Sequence, residues 1–208
     1  MIDLINLKLP LVLASQSPRR SKLLTQISLN FDVIHSSIDE SEHPLHIDPV
    51  DYAGQLSLKK ALEVASRVDY PAIVLGADTI VCLDNTILNK PIDAADAQRM
   101  LNMLSGNTHI VYTGVSLVES STGKSTTEVK ATKVTFRKLA KHEIEAYVAG
   151  GSPLDKAGAY GIQDDMGAVF ISHIEGCYYN IVGLPLEMLY SMLNKFNNEI
   201  STPSRETL

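Results

Sequence analysis

Blocks of apolar and polar residues alternate along the chain and predict strands and helices in turn. The apolar run at 11–13 is typical of a short buried strand. Ser17 suits a helix N-cap and Pro18 the first helical position, so a helix is expected to follow and to end near residue 27. The segment 31–36, with the sequence FDVIHS, predicts a second strand.

A long apolar run at 72–84 is the main strand signal of the chain, although Gly76 and Asp78 interrupt it. Asp84 and Asn85 then predict a tight turn and a short return strand. The remaining predicted elements are a helix at 50–67, a helix from Asp93 to about 105, hairpin strands at 109–118 and 128–137, a helix at 141–150, a strand at 168–174 and a last helix at 184–196.

This order of elements predicts an α/β protein with a mixed, twisted sheet and flanking helices. The central hairpin must be antiparallel, whereas the strand-helix-strand units favour parallel pairing. Two lobes around a deep cleft are expected, with the sheet running through both. We predict a single domain over residues 1–208, with a core at about 9–196 and a polar tail at 197–208.

The charge balance argues against nucleic acid as a partner. With 18 basic and 24 acidic residues the net charge is -6, and no basic stripe interleaved with aromatic residues is present. No run approaches the roughly 20 apolar residues that span a bilayer. Two cysteines give no disulfide framework, so we expect a cytoplasmic protein without membrane contact. A bound phosphate would require a local cluster of cations.

The turn SQSPRR at 15–20 has the composition of such a phosphate site. Backbone N–H groups at a helix start point at a bound anion, and Arg19 and Arg20 add charged, forked donors. Ser15 and Ser17 add hydroxyl groups in the same turn. The alternative is an ordinary helix start with solvated arginines.

Two carboxylates are candidates for catalysis and metal binding. Asp78 lies within an apolar run, where an unpaired charge is costly, so it requires a lysine, a metal ion or a water to deprotonate. Glu40 follows the second predicted strand. Together they fit Mg²⁺, which takes one or two carboxylates and completes its shell with water and phosphate oxygens. The alternatives are a structural aspartate that caps a turn and a solvated strand end.

Three lysines in separate elements complete the set of candidate cations. Lys60 lies on the long helix, Lys90 precedes a proline, and Lys156 lies in a glycine-rich segment. Each alone fits an ordinary surface lysine. If the three lysines lie in one cleft, they would attract a triphosphate although the chain as a whole is acidic.

Several other patterns do not predict a site. The segment GKST at 123–126 resembles the end of a P-loop, but it links two strands and lacks the first glycine. His43 and His46 have no zinc-ligand spacing. No nearby histidine would activate Ser15 or Ser17 as a nucleophile.

Motifs spread over the chain resemble the Maf family of nucleoside triphosphate pyrophosphatases. They cover about 9–196 in the family's order, which makes the resemblance specific. These motifs are SQSPRR, Glu40, KA at 60–61, GADT at 76–79, KP at 90–91, VTFRKL at 134–139, DKAGAYGIQ at 155–163 and NIVGLP at 180–185.

The resemblance implies an inosine triphosphatase-like fold and hydrolysis of a nucleoside triphosphate to the monophosphate and pyrophosphate with Mg²⁺ or Mn²⁺. Asp78 then matches the catalytic base, and Glu40 matches an acidic residue tied to metal and catalysis. The remaining matches are Arg20, Lys60 and Lys90 as phosphate-contacting or catalytic cations, and Arg19, Thr79 and Gln163 at positions linked to substrate choice.

The forms GADT and DKAGAYGIQ resemble the branch that prefers dTTP and UTP. Gln16 and Asn89 are mild departures, because glycine is common at the first position, and glycine or glutamate often precedes KP. A nucleotide-binding regulator without turnover, a pyrophosphatase for modified nucleotides, and a nucleotidyltransferase remain as alternatives. A homodimer is only what the family suggests.

Overall fold

The computed structural model describes residues 5–39, 47–163 and 165–200. The strands are β1 (Leu11–Ala14), β2 (Asp32–Val33), β3 (Ile73–Leu83), β4 (Thr86–Leu88), β5 (Thr108–Glu119), β6 (Ser125–Phe136) and β7 (Ile171–Glu175). The α-helices are α1 (Pro18–Gln26), α2 (Pro49–Ala65), α3 (Ala94–Leu104), α4 (Lys141–Ala149), α5 (Tyr178–Val182) and α6 (Leu186–Glu199).

The described strands form one mixed sheet in the order β2-β1-β3-β5-β6-β7, with β4 paired to β3. Strand β1 pairs in parallel with β2 and β3, whereas β3, β5, β6 and β7 pair antiparallel. The predicted α/β class, mixed sheet and central hairpin are therefore confirmed.

A gap in strand pairing opens one edge of β3. The pairing of β1 with β3 ends where Ala14 lies opposite Gly76, and β4 joins β3 only from Val81 onward. Within the described ranges, residues 77–80 of β3 thus have no neighbouring strand on that edge. Because a missing neighbour leaves space beside the sheet, the gap places the middle of β3 at the edge of a cleft.

Helix α2 covers one face of the sheet at close range because two glycines leave room for it. A Cβ atom at Gly76 would overlap the carbonyl oxygen of Ser57, and one at Gly114 would overlap that of Ala53. The even-numbered side chains of β3 face this helix, since successive side chains of a strand point to opposite faces. Asp78 therefore faces α2.

The opposite face carries two separate apolar clusters. One packs Ile73 and Leu75 against α1 and α6, and the other packs Val81 and Leu83 against α3 and α4. Thr79 lies between them along β3, on the same face. These clusters correspond to the two predicted lobes, and the sheet runs through both.

Some local predictions were wrong. Strand β2 is limited to Asp32–Val33, because only two residues of the short β1 pair with it. Residues 168–170 belong to a 3-10 helix, Asp165–Phe170, which buries Phe170 against Phe136, and β7 begins afterwards. Ser17 stands at the N-cap of α1, but its side chain makes no capping hydrogen bond. The short helix α5 was not predicted.

The helices were also compared with the requirements for spanning a membrane. Among the helices found there, none combines the length and apolar character that a membrane-spanning helix needs.

Candidate active site

A cleft of about 500 Å³ opens at the gap in β3 and lies between α1, the sheet and the glycine-rich segment before β7. Almost all of the site residues predicted from the sequence line this one cleft. They are Ser15, Ser17, Arg19, Arg20, Lys60, Asp78, Thr79, Lys90, Lys156 and Gln163. The other predicted site residue, Glu40, lies outside the described residues, as do His43 and His46.

Asp78 and Lys60 form a buried ion pair in the cleft wall. Lys60 Nζ donates to Asp78 Oδ1 at 2.6 Å, and the two residues are only 4% and 5% exposed. The partner that burial demanded is thus a lysine of α2, which the close packing at Gly76 brings within reach. Among the described residues, none donates a hydrogen bond to Asp78 Oδ2, which leaves that oxygen for a ligand.

Arg20 is buried and is not a solvated arginine. Its Nε donates to the carbonyl oxygen of Gly183 at 2.9 Å, and Nη1 donates to Ser15 Oγ at 3.1 Å. Nη2 donates to Thr79 Oγ1 at 3.2 Å. These three hydrogen bonds fix the plane of the guanidinium. Ser15 also accepts from the backbone N–H of Ser17 and so organises the turn.

Asp155, which the sequence did not nominate, joins two of the cations at the cleft mouth. Arg19 Nη1 donates to Asp155 Oδ2 at 2.8 Å, and Lys156 Nζ donates to Asp155 Oδ1 at 2.9 Å. Partial burial alone would raise the pKa of Asp155, but the hydrogen bonds from Lys156 and Arg19 outweigh it and lower that pKa below its ordinary value. The ionised carboxylate therefore connects α1 to the glycine-rich segment.

Lys90 and Gln163 also belong to the polar lining of the cleft. Lys90 is exposed and Gln163 is half-buried. The N–H of Gly158 donates to the carbonyl oxygen of Asn89 at 3.1 Å, which ties the turn before Lys90 to the segment that carries Lys156. The two lysines are thus held in connected loops.

The charge of the cleft is opposite to that of the whole chain. Its described lining carries five cationic side chains against the three carboxylates of Asp39, Asp78 and Asp155, whereas the chain as a whole has a net charge of -6. A local excess of cations in a concave site attracts polyanions. The cleft is therefore suited to a polyphosphate.

One wall of the cleft is uncharged and contains an aromatic residue. Val81, Val111, Ile181 and Val182 line it together with Tyr160. Tyr160 belongs to the motif DKAGAYGIQ, but it was not predicted as a site residue. An aromatic residue within a glycine-rich segment was the signal that could have indicated it. This wall offers an apolar surface to a flat ring.

Tyr160 is held in place by a buried histidine. Its hydroxyl group lies 2.7 Å from His109 Nε2, and the two rings meet edge to face. Burial lowers the pKa of His109 to about 4, and burial also raises the pKa of Tyr160 well above its ordinary value. Both groups are therefore neutral near pH 7.

The described side chains provide few ligands for a metal ion. No group of three or more histidine, cysteine, aspartate or glutamate residues with suitable spacing exists in the ranges that the structure covers. Asp78 Oδ2 is a hard oxygen donor at the cleft. It fits Mg²⁺ or Mn²⁺ held mainly by the oxygens of a bound triphosphate, which is a common mode for Mg²⁺.

Comparisons with known proteins agree on one family. Residues 10–196 match the family model described as Maf-like protein. The chain is 49% identical over 194 residues to the dTTP/UTP pyrophosphatase of Salinibacter ruber, covering 93% of this chain and 94% of that protein. It is 47% identical over 190 residues to the enzyme of the same name from Bacillus cytotoxicus, covering 91% and 97%.

The solved structure of a HAM1 protein from Coxiella burnetii is a more distant neighbour. Its TM-score is 0.49 at 16% identity, and the alignment covers 90% of this chain and 99% of that one. The family match and the relatives both extend over nearly the whole chain. The chain therefore belongs to the Maf family.

Proposed function

We propose that this protein hydrolyses dTTP and UTP to the nucleoside monophosphate and pyrophosphate. The observation that carries the proposal is the buried Asp78–Lys60 pair in a cleft whose other charged side chains are mostly cationic. Relatives named dTTP/UTP pyrophosphatase, which match more than nine tenths of the chain, support the choice of substrate and of products.

The cations of the cleft would hold the triphosphate. Arg19 and Arg20 of α1 line its wall together with Lys90 and Lys156, which come from distant parts of the chain. A unit charge about 4 Å from a phosphate oxygen contributes roughly 4 kcal/mol of attraction at an effective dielectric constant of about 20, before desolvation is subtracted. Several such charges offset the repulsion from the acidic surface.

Asp78 would act as the general base. Lys60 donates a hydrogen bond to Oδ1, while Oδ2 is left to accept a proton from a water molecule. The oxygen of that water forms a bond to the α-phosphorus, and the bond from the α-phosphorus to the bridging oxygen breaks. Pyrophosphate leaves with its negative charge balanced by the cations at the mouth.

We also propose that the reaction uses Mg²⁺ or Mn²⁺. Phosphate oxygens and Glu40 would hold the ion, and Asp78 Oδ2 would contact it only through water, because that oxygen takes the proton. When bound, the ion neutralises charge on the triphosphate and polarises its phosphoryl oxygens. The unpaired cysteines Cys82 and Cys177 suit a reducing compartment, and we propose the cytoplasm as its location.

A substrate panel tests this function. The purified protein is incubated with dTTP, UTP, CTP and GTP, with Mg²⁺, with Mn²⁺ and with chelator, and the products are identified by chromatography. We expect dTTP and UTP to be consumed fastest, with pyrophosphate as the product and activity lost in chelator. Equal turnover of all four nucleotides would contradict the substrate choice, and release of orthophosphate would contradict the reaction.

A further inference from the structure

Behind Thr79, two fully buried residues continue the hydrogen-bond network away from the cleft. Thr113 on β5 lies directly opposite Thr79 on β3, and Asn180 belongs to α5. Both Thr113 and Asn180 are 0% exposed, so neither contacts a ligand in the cleft. Any effect they have on a ligand must pass through Thr79, which is half-buried and lines the cleft.

The direction of each hydrogen bond in this network is fixed. Thr113 Oγ1 donates to the carbonyl oxygen of Asn180 at 2.9 Å. A hydroxyl group has one proton, so Thr113 can only accept in its 2.9 Å contact with Thr79 Oγ1. Thr79 must therefore donate its own proton to Thr113.

Thr79 consequently offers a ligand only a lone pair. Its proton is used by Thr113, and one of its two lone pairs accepts from Arg20 Nη2 at 3.2 Å. A ligand group that donates a hydrogen bond is accommodated by the remaining lone pair. A ligand group that itself presents a lone pair meets an acceptor and is repelled.

The position of Thr79 places this acceptor beside the apolar wall. Thr79 and Val81 share one face of β3, and their partners Thr113 and Val111 share that face on β5. Asp78, which precedes Thr79, faces α2 on the opposite side. Thr79 thus lies on the border between the charged part of the cleft and the wall suited to a ring.

We propose that Thr113 is a positioning residue that, through Thr79, makes the cleft favour a pyrimidine ring with an N–H donor at N3 over one with a lone pair there. Uracil and thymine have the N–H, whereas cytosine has the lone pair. The inference rests on the proposed function, which supplies the pyrimidine nucleotide. Thr79 lines the cleft beside the wall suited to a ring, and Thr113 decides which hydrogen-bonding role Thr79 plays.

The test compares Thr113→Val, which keeps the shape and removes the hydroxyl group, with Thr113→Ser, which keeps the hydroxyl group. Thr113→Ala is a second variant without a hydroxyl group, in case valine prevents folding. For each protein, kcat/KM is measured with UTP and CTP, and the Kd values of UMP and CMP are measured by calorimetry. Circular dichroism and the melting temperature establish that each variant is folded.

In Thr113→Val the proton of Thr79 has no acceptor behind it and can turn toward the ligand. We expect the preference for UTP over CTP, and for UMP over CMP, to fall by about tenfold, the effect of about one neutral hydrogen bond. Thr113→Ser should stay within about twofold of the wild type, since its bond to Asn180 is preserved.

A folded valine or alanine variant with the wild-type preference would overturn the inference. So would a serine variant that loses preference as far as the valine variant does, because packing and not the proton would then be responsible. If the wild type hydrolyses neither UTP nor dTTP, the proposed function fails instead. The binding of UMP and CMP still decides the role of Thr113 in that case.

Discussion

Asp78 and Thr79 are neighbours on β3, yet the two faces of the sheet support them in different ways. Asp78 depends on a single charged partner, Lys60, in a buried pair. Thr79 belongs to a network of hydroxyl and backbone groups that also includes the guanidinium of Arg20. A buried charge pair loses its compensation entirely when one member is removed, whereas a network of hydroxyl groups loses one bond at a time. We therefore expect substitutions in the Asp78–Lys60 pair to have large effects on activity or stability. Substitutions in the network around Thr79 should change substrate selectivity in smaller steps.

The largest effect should come from Asp78→Asn. The amide still accepts a hydrogen bond from Lys60, but it cannot take a proton from water, so kcat should fall by at least about 100-fold. The fold should persist, which circular dichroism and the melting temperature will show. Turnover of dTTP near the wild-type rate in a folded variant would mean that the base is a different residue.

The charged pair itself can be separated from catalysis by Lys60→Met. This change leaves the Asp78 carboxylate buried without its partner, which should lower the free energy of unfolding by about 3–5 kcal/mol. The double variant with Asp78→Asn removes the unpaired charge and should recover part of that loss. Urea denaturation of the wild type and of the single and double variants measures both effects. A single variant as stable as the wild type would show that the pair contributes nothing.

On the neutral side, His109 predicts a dependence of stability on pH. Its pKa is lowered to about 4 by burial, so the unfolded chain takes up a proton first as the pH falls below about 6.5. The contribution of neutral His109 to the free energy of unfolding is fully present above about pH 6.5. It is lost as the pH falls from about 6.5 to about 4, a change of up to about 3 kcal/mol.

His109→Gln provides the comparison for that prediction. The side-chain amide can still reach Tyr160 but does not titrate in this range. The free energy of unfolding of the wild type should therefore fall more steeply between pH 6.5 and 4 than that of the variant. Parallel curves for the two proteins would show that His109 is not the titrating group.

The smallest effect is expected at the exposed mouth of the cleft. Asp155→Asn removes a negative charge near the path of an anionic substrate and releases Arg19 and Lys156 from it. The KM for dTTP should fall by about two- to fivefold, while kcat changes little, since surface ion pairs contribute only about 0–1 kcal/mol. Glu145→Gln is the matched control, because its exposed pair with Lys141 lies on α4, away from the cleft lining. An increased KM would instead show that Asp155 aligns the two cations for binding.

The sequence predicted the charged residues of the site better than the hydroxyl network behind Thr79. An aspartate in an apolar run signals its need for a partner, and the turn SQSPRR marks a helix start beside two arginines. These signals are local. Which of the three possible partners Asp78 takes depends on α2 lying close over Gly76, and this became evident only in three dimensions.

Thr113 gave no signal in the sequence, and Asn180 appeared only as the first residue of the motif NIVGLP, without a predicted role. Their roles depend on the register of β3 with β5 and on the place of α5, and both are set by contacts between distant parts of the chain. The wrong strand predictions have a related cause. Short edge segments such as 31–36 and 168–170 carry strand-forming residues, but the length and register of the neighbouring strand decide whether they pair.

The gap between β1 and β4 leaves peptide groups of β3 without a strand partner beside the cleft. Along residues 77–80 the peptide groups that point away from β5 have no strand to bond with in the described structure. Such groups must find water or a ligand, because an unsatisfied buried amide or carbonyl is costly. Since every amino acid but proline supplies both an N–H and a carbonyl group, this open edge is a property of the topology and survives changes of side chain.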